Sequence, residues 1–525
     1  MKIHTAHGRY LILVIALWAF HVWMNYHVLT RSQISRFHDE GCRVVQGIKY
    51  YQLLFKNPGI GAMEKLDRVS TLTGQFHPPL FELAEAVSWK LLERVAPMDM
   101  DMMVMTVNAI FLLILLLGVY GIGSALYQPG VGLVSAVLVS FCMMVFGHTR
   151  LAMLDFPVAC MVSCAVYTLV KTRGFQSRGY SILTGIVFAT AVLTKETALA
   201  FFLPPFIYYI LRSWVRNNKK QVFIHLIFTA LCFIVIAGSL YLKPANLCVF
   251  KWYPLRTHYT KTSWDLLYYV RHFDAFVGPM LQVLFLPLLA AYLFNIKKRK
   301  KVFLFWLFVP LVIFSISPSK TLRLPLATVP ALAIIVTQEI FQNNLFRRCR
   351  QACVFLLLSF AVLQYAFLNG GLLFAERYLG HLDYGILFVT RNHQDYSDKL
   401  VDIFTREAQG PAHIGKRILF IGSVGSLHWP LYEYALLHEW AFDFKFPAEG
   451  DAFDHAYFPR RWHEELTAAG YIIDKTGGIE RSPYNGYVIE GLRKDFREHR
   501  GEFDLMATVP AGDGSNIYVY KRISN

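Results

Sequence analysis

The sequence predicts a polytopic α-helical membrane protein of about eleven spans, followed by a small C-terminal α/β domain on the outer side of the membrane. Three observations predict it. The 525 residues are 55% hydrophobic and 15% aromatic, with a mean hydropathy of +0.38, more apolar surface than a soluble chain of this length needs. Apolar runs near 20 residues recur from the N-terminus to about residue 371. Threading those runs in order puts the strongest basic clusters on one face, the cytoplasmic one.

The formal charge of +16 fits the same picture. In a soluble protein it would point to nucleic acid. Here the basic residues lie between apolar runs, where they set topology and meet anionic membrane lipids, so no nucleic-acid partner is expected. The 8 cysteines are scattered without zinc spacing; Cys160 and Cys164 share a helix face inside a span, which suits packing.

Span one, Tyr10 to Leu29, follows Lys2 and Arg9, which hold the N-terminus in the cytoplasm. It carries Trp18, His21 and Trp23 and lacks a small-residue cleavage site, so it reads as a retained anchor. A long outer loop, 30–101, contains two helical stretches, Gly41 to Phe55 and Pro79 to Leu92. The second bears Glu82, Glu85, Lys90 and Glu93, too much charge for a span, and is expected to lie along the interface as an amphipathic helix. Span two, Met102 to Leu126, returns inward. Span three, Val131 to Phe146, follows the Gln128-Pro129-Gly130 turn. Span four starts at Asp155 and ends at the basic loop Lys171 to Arg178. Spans five and six, 181–194 and 198–211, flank Lys195-Glu196. Span seven, 222–241, leads to an outer loop, 242–275, rich in Trp, Tyr and His. Span eight, 276–295, meets Lys297-Lys298-Arg299-Lys300-Lys301, the strongest cytoplasmic signal. Spans nine (302–316), ten (324–341) and eleven (352–371) complete the bundle.

Residues 1–374 thus form a transmembrane domain, and 375–525 an extracytoplasmic α/β domain. In the latter, Arg417 to Gly422 reads as a buried strand and Ser426 to Trp440 as a helix; Phe503 to Val509 and Asn516 to Lys521 read as a hairpin. The Gly422-Ser423-Val424-Gly425-Ser426 run is a strand-to-helix turn rather than a nucleotide loop.

Several residues break the membrane rules. Asp39 and Glu40 form an acidic pair just beyond span one; they either cap a helix or supply a base at the membrane surface. Lys195, Lys320 and Arg323 put positive charge on the outer face, where a lipid-linked phosphate is the natural partner and headgroup snorkelling the alternative. Asp155 either caps span four or faces the same pocket as Asp39. His77, in Phe76-His77-Pro78-Pro79-Leu80, either makes a structural hydrogen bond at a helix start or binds phosphate or a sugar hydroxyl. Asp99 and Asp101 have the spacing of a metal-binding pair but sit where acids cap span two; no metal is expected.

In this order, the acidic pair, His-Pro-Pro-Leu, Leu154-Asp155-Phe156-Pro157, Leu193-Thr194-Lys195 and Ser317-Pro318-Ser319-Lys320-x-x-Arg323 resemble the GT-C membrane glycosyltransferases. The nearest groups are the protein O-mannosyltransferases and the aminoarabinose transferases of lipid A. By motif the resemblance covers about residues 1–341. It implies a polyprenyl-phosphate sugar donor and no cofactor. Transfer would go to a protein, lipid or glycan hydroxyl on the outer face of the plasma or inner membrane. It further implies Asp39 as general base, with Glu40 beside it, and Asp155 lining the same cavity. Lys320 and Arg323 would hold the donor phosphate, and Lys195 falls on the family's Thr-Lys pattern. Three departures stand out. Leu324 follows Arg323 where the family carries an aromatic. Met105-Thr106-Val107-Asn108 replaces an Arg-Leu-Pro-Ser sequence. Phe76-His77 replaces Glu-Lys, which argues against aminoarabinose as the sugar. The rival reading, a transporter or lipid flippase using the same charges, would favour internal repeats, and the chain has none by inspection.

Overall fold

The computed structural model describes residues 2–31, 38–73, 78–93, 100–241, 265–317, 320–369, 394–408, 416–421, 443–445, 466–476, 493–510 and 516–523. The chain divides into two compact units, Met1–Leu29 with Tyr50–Val389, and Thr30–Lys49 with Thr390–Asn525.

The first unit is a helical bundle. Helix α1, Lys2–Arg31, is a single rod; α2, His38–Tyr51, begins in the other unit and runs into a π-helical turn, Gln52–Lys56. The short helix α3, Ala62–Thr73, was not legible as a separate element. Helix α4, Leu80–Leu92, is the stretch expected to be interfacial. Its buried face combines Phe81, Ala86 and Trp89 with Glu82 and Glu85, while Val87 and Leu91 are exposed. The acids stand one turn apart on the buried face, and α4 packs on α5, Met100–Leu126.

Span three is interrupted. Helix α6, Pro129–Phe141, ends at Cys142, whose backbone is extended, and the six-residue α7, Met143–His148, follows. Helices α8 (Asp155–Lys171), α9 (Arg178–Thr194), α10 (Ala198–Arg216) and α11 (Lys219–Tyr241) then pack in succession. Close approach of α9 and α11 depends on Gly185, where a Cβ would fall 2.3 Å from the Thr229 carbonyl oxygen.

Beyond residue 264, α12 (Tyr268–Arg271) and α13 (Phe273–Val277) precede α14, Pro279–Phe294. Gly278 makes this joint with φ +97°, a conformation that favours glycine. The Gln364 side chain closes the break: its carbonyl oxygen accepts from the amides of Met280 and Leu281 at 3.1 and 3.2 Å, and its amide donates to the Val277 carbonyl at 2.7 Å. Helix α15 is Val302–Ile316; a 3-10 turn, Leu324–Thr328, leads into α16, Val329–Gln342; α17 is Arg350–Asn369. Helix α16 is the most enclosed, with Val329 to Ile340 all buried.

Six of these helices are long and apolar enough to cross a membrane, and four more apolar helices are shorter. Helices cover the stretches read as spans, but the candidate crossings among the described residues number six, against the eleven expected. The Trp- and Tyr-rich stretch 242–264 lies outside the described residues.

The second unit holds helix α18, Gln394–Ala408, and a five-stranded sheet of β1 (Arg417–Ile421), β2 (Asp443–Lys445), β3 (Ala469–Thr476), β4 (Phe503–Pro510) and β5 (Asn516–Arg522). Strand order is β2-β1-β3-β5-β4; β1 runs parallel to β2 and β3, and the other pairings are antiparallel. Alternation sorts β1 between two cores. Ile418 and Phe420 pack with Leu400 and Phe404 of α18, whereas Leu419 packs with Ile472, Phe496 and Phe503 on the opposite face. The expected β4–β5 hairpin is present; the loop 422–426 and the helix expected at 426–440 lie outside the described residues.

Candidate active site

Helix starts, helix ends and one loop bring three of the singled-out residues together. Asp155 is the first residue of α8, where the helix dipole favours a carboxylate. Lys195 closes the C-terminus of α9, where the dipole favours a cation. Arg323 precedes the 3-10 turn that opens α16. The Asp155 carboxylate bridges the two cations: Oδ1 accepts a 2.7 Å hydrogen bond from Lys195 Nζ, and Oδ2 stands 3.6 Å from Arg323 Nε. Asp155 and Lys195 are buried, while the Arg323 side chain keeps 27% of its surface exposed.

One carboxylate thus faces two cations. Lys320, partly exposed, adds another cation to the same loop as Arg323. Lys195 is therefore not snorkelling; it is held inside the bundle by an ion pair.

Three further residues belong to this neighbourhood and were not anticipated. Met153 Sδ accepts from Arg323 Nη1 at 3.1 Å. Tyr269, buried on α12, donates its hydroxyl to the Thr321 carbonyl at 3.3 Å, tying α12 to the loop that carries both Lys320 and Arg323. His148, at the end of α7, has Nδ1 2.8 Å from the Met144 carbonyl, which fixes the tautomer with the proton on Nδ1. The available signal was the polar run His148-Thr149-Arg150 within an otherwise apolar stretch.

Asp39 and Glu40 lie in the first turn of α2, and their side chains lie outside the described residues, as does the whole of His77. Among the described residues no cluster of three His, Cys, Asp or Glu side chains has metal-binding geometry.

Residues 76–241 match the family model described as dolichyl-phosphate-mannose-protein mannosyltransferase. No curated protein sequence matches the chain. Among solved structures, ArnT from Cupriavidus metallidurans in the apo state superimposes with a TM-score of 0.60 at 12% identity, covering 98% of each chain. ArnT bound to undecaprenyl phosphate gives 0.56 at 12% identity, covering 99% of this chain and 98% of that one. The archaeal oligosaccharyltransferase AglB from Archaeoglobus fulgidus, in complex with an inhibitory peptide and a dolichol-phosphate, gives 0.54 at 10% identity, covering 96% of this chain and 74% of that one. The structural matches show a shared fold, and the family-model match covers residues 76–241 of the chain.

Proposed function

We propose that the protein transfers a sugar from a polyprenyl-phosphate donor to a hydroxyl acceptor on the outer face of the membrane, with inversion at the anomeric carbon. The observation that carries this reading is the cluster of Asp155, Lys195 and Arg323 at one end of a GT-C bundle. Cations gathered in a partly buried site stabilise a phosphate, and stabilise it more as the leaving group gains charge.

In this reading Lys320 and Arg323 hold the donor phosphate. Asp39 takes the proton of the acceptor hydroxyl, with Glu40 and His77 beside the substrate. The acceptor oxygen bonds to the anomeric carbon while the bond from that carbon to the phosphate oxygen breaks, and the electron pair leaves with polyprenyl phosphate. Asp155 acts by position: engaged by two cations, it is a poor base but a rigid anchor that aims Arg323 and fixes Lys195. No metal or other cofactor is called for by these steps. The N-terminus then lies in the cytoplasm and the α/β domain outside.

The structural relatives support the donor class: one was solved with undecaprenyl phosphate and another with a dolichol-phosphate. The family model names mannose, and the residues at 76–77 speak against aminoarabinose. The test is transfer by the purified protein from polyprenyl-phosphate-linked hexose and pentose donors, with Asp39→Asn beside it. Full activity in that variant would remove Asp39 as the base. Movement of intact donor across the membrane without transfer would favour the flippase.

A further inference from the structure

Arg150 lies five residues before Asp155. It lies in the segment between α7 and α8 and is 6% exposed, so its guanidinium is taken almost wholly out of water. Its partners come from different helices than those of Asp155. Nε donates to Asn25 Oδ1 of α1 at 2.9 Å, and Nη2 donates to Asn369 Oδ1, the last residue of α17, at 2.5 Å. The Asn25 amide in turn donates to Thr149 Oγ1 at 2.8 Å. The Phe146 ring lies 5.9 Å from the guanidinium carbon. The Tyr365 hydroxyl is near enough to act on the guanidinium, yet it makes no hydrogen bond of good geometry among the described residues.

Every one of these partners is neutral. An arginine keeps its charge in a protein, and burying a charge without a counter-ion is costly. Among the described residues no Asp or Glu forms an ion pair with Arg150, in contrast with Lys195 and with Arg299, whose Nε is 2.6 Å from Glu339 Oε1. Among the described residues Arg150 is thus met by neutral groups alone, and the neighbouring helix faces indicate what meets it from outside the protein. Helices α1 and α17 expose large apolar side chains, among them Trp23 and Tyr26 flanking Asn25, and Val362 and Leu363 one to two turns before Asn369. Such faces meet lipid, with Trp and Tyr at the headgroup level.

We infer that Arg150, seated between Asn25 and Asn369, is the cation of a second anion subsite, one that takes the phosphate of a membrane lipid approaching between α1 and α17. A phosphate monoester carries net negative charge whereas a zwitterionic diester headgroup does not, so a guanidinium with neutral partners favours the monoester, and the apolar flanks favour the lipid-borne form over free phosphate. Its partners Asn25 and Asn369 are not those of the Asp155 cluster, and the subsite does not depend on sugar transfer being the activity.

Native mass spectrometry of the full-length protein, released from detergent, tests this with phosphatidic acid, phosphatidylcholine and inorganic phosphate as probes. The wild type is expected to retain one phosphatidic acid at least tenfold more tightly than phosphatidylcholine. Arg150→Gln should abolish that preference, and the double variant Lys320→Ala/Arg323→Ala should keep it. Asn369→Asp provides an internal counter-ion while leaving Arg150 in place, so it should abolish the preference even if Arg150→Gln fails to fold. A preference unchanged in Asn369→Asp or in folded Arg150→Gln overturns the inference. Loss of it in the Lys320/Arg323 variant assigns the lipid to the donor site and overturns it too. Retention of inorganic phosphate without selectivity for phosphatidic acid refutes the lipid source.

Discussion

Replacing Asp155 by Asn should destabilise the helical unit by an amount the geometry sets. The substitution keeps shape and volume but removes the charge that faces Lys195 at 2.7 Å and Arg323 at 3.6 Å. At an effective dielectric near 20 the first contact alone corresponds to a gross attraction of roughly 6 kcal/mol. Desolvation offsets much of that in the intact pair. Once the carboxylate is gone, the Lys195 ammonium remains buried without its partner, and breaking such a pair costs about 3–5 kcal/mol. The Arg323 contact adds less, because that side chain is partly exposed to solvent. Denaturant titration of the purified protein in mixed micelles measures the loss. A double-mutant cycle with Lys195→Met isolates the pairwise contribution. The double variant Asp155→Asn/Lys195→Met should regain most of the stability, since it leaves no orphaned charge. If Asp155→Asn lies within ~0.5 kcal/mol of wild type, the ion pair is not the anchor described here.

Other outcomes follow from the same geometry. Lys320→Ala and Arg323→Ala should each raise the donor KM about 10- to 100-fold, the loss of one charge-assisted hydrogen bond to phosphate, with a smaller change in kcat; an unchanged KM in both, measured by initial rates, contradicts their placement. Gly278→Ala should cost about 1–3 kcal/mol, since it combines φ +97° with a Cβ placed 2.2 Å from Gln364 side-chain atoms; recovery of monodisperse protein after heating reads this out.

Membrane-spanning helices were legible because about 20 apolar residues in a row have few other uses. Their ends were less so. Span six runs to Arg216, past Arg212, because long basic side chains let a helix continue after its apolar run stops. The break at Cys142 carries no proline or glycine and left no local signal. The burial of Glu82 and Glu85 on α4 escaped because charge was taken to mark a wet face. In the tail the β4–β5 hairpin was readable from alternation and its Gly-containing turn, but the parallel neighbours of β1 depend on chain segments far apart in sequence.

The site was half legible. Asp155, Lys195 and Arg323 each stood out as a charge that membrane placement does not explain, and they meet. That Lys195 would pair with Asp155, 40 residues earlier, could not be read from spacing. Tyr269 and Met153 carry no unusual chemistry in the sequence; only folding brings them to Arg323 and its loop.

The most direct measurement is a product balance on the full-length protein, supplied with a polyprenyl-phosphate-linked hexose or pentose and a hydroxyl acceptor. The account predicts one polyprenyl phosphate released for each acceptor glycosylated, with the opposite anomeric configuration in the product and at least ~10³-fold slower release in Asp39→Asn. Retained configuration, or release undiminished in that variant, would contradict it.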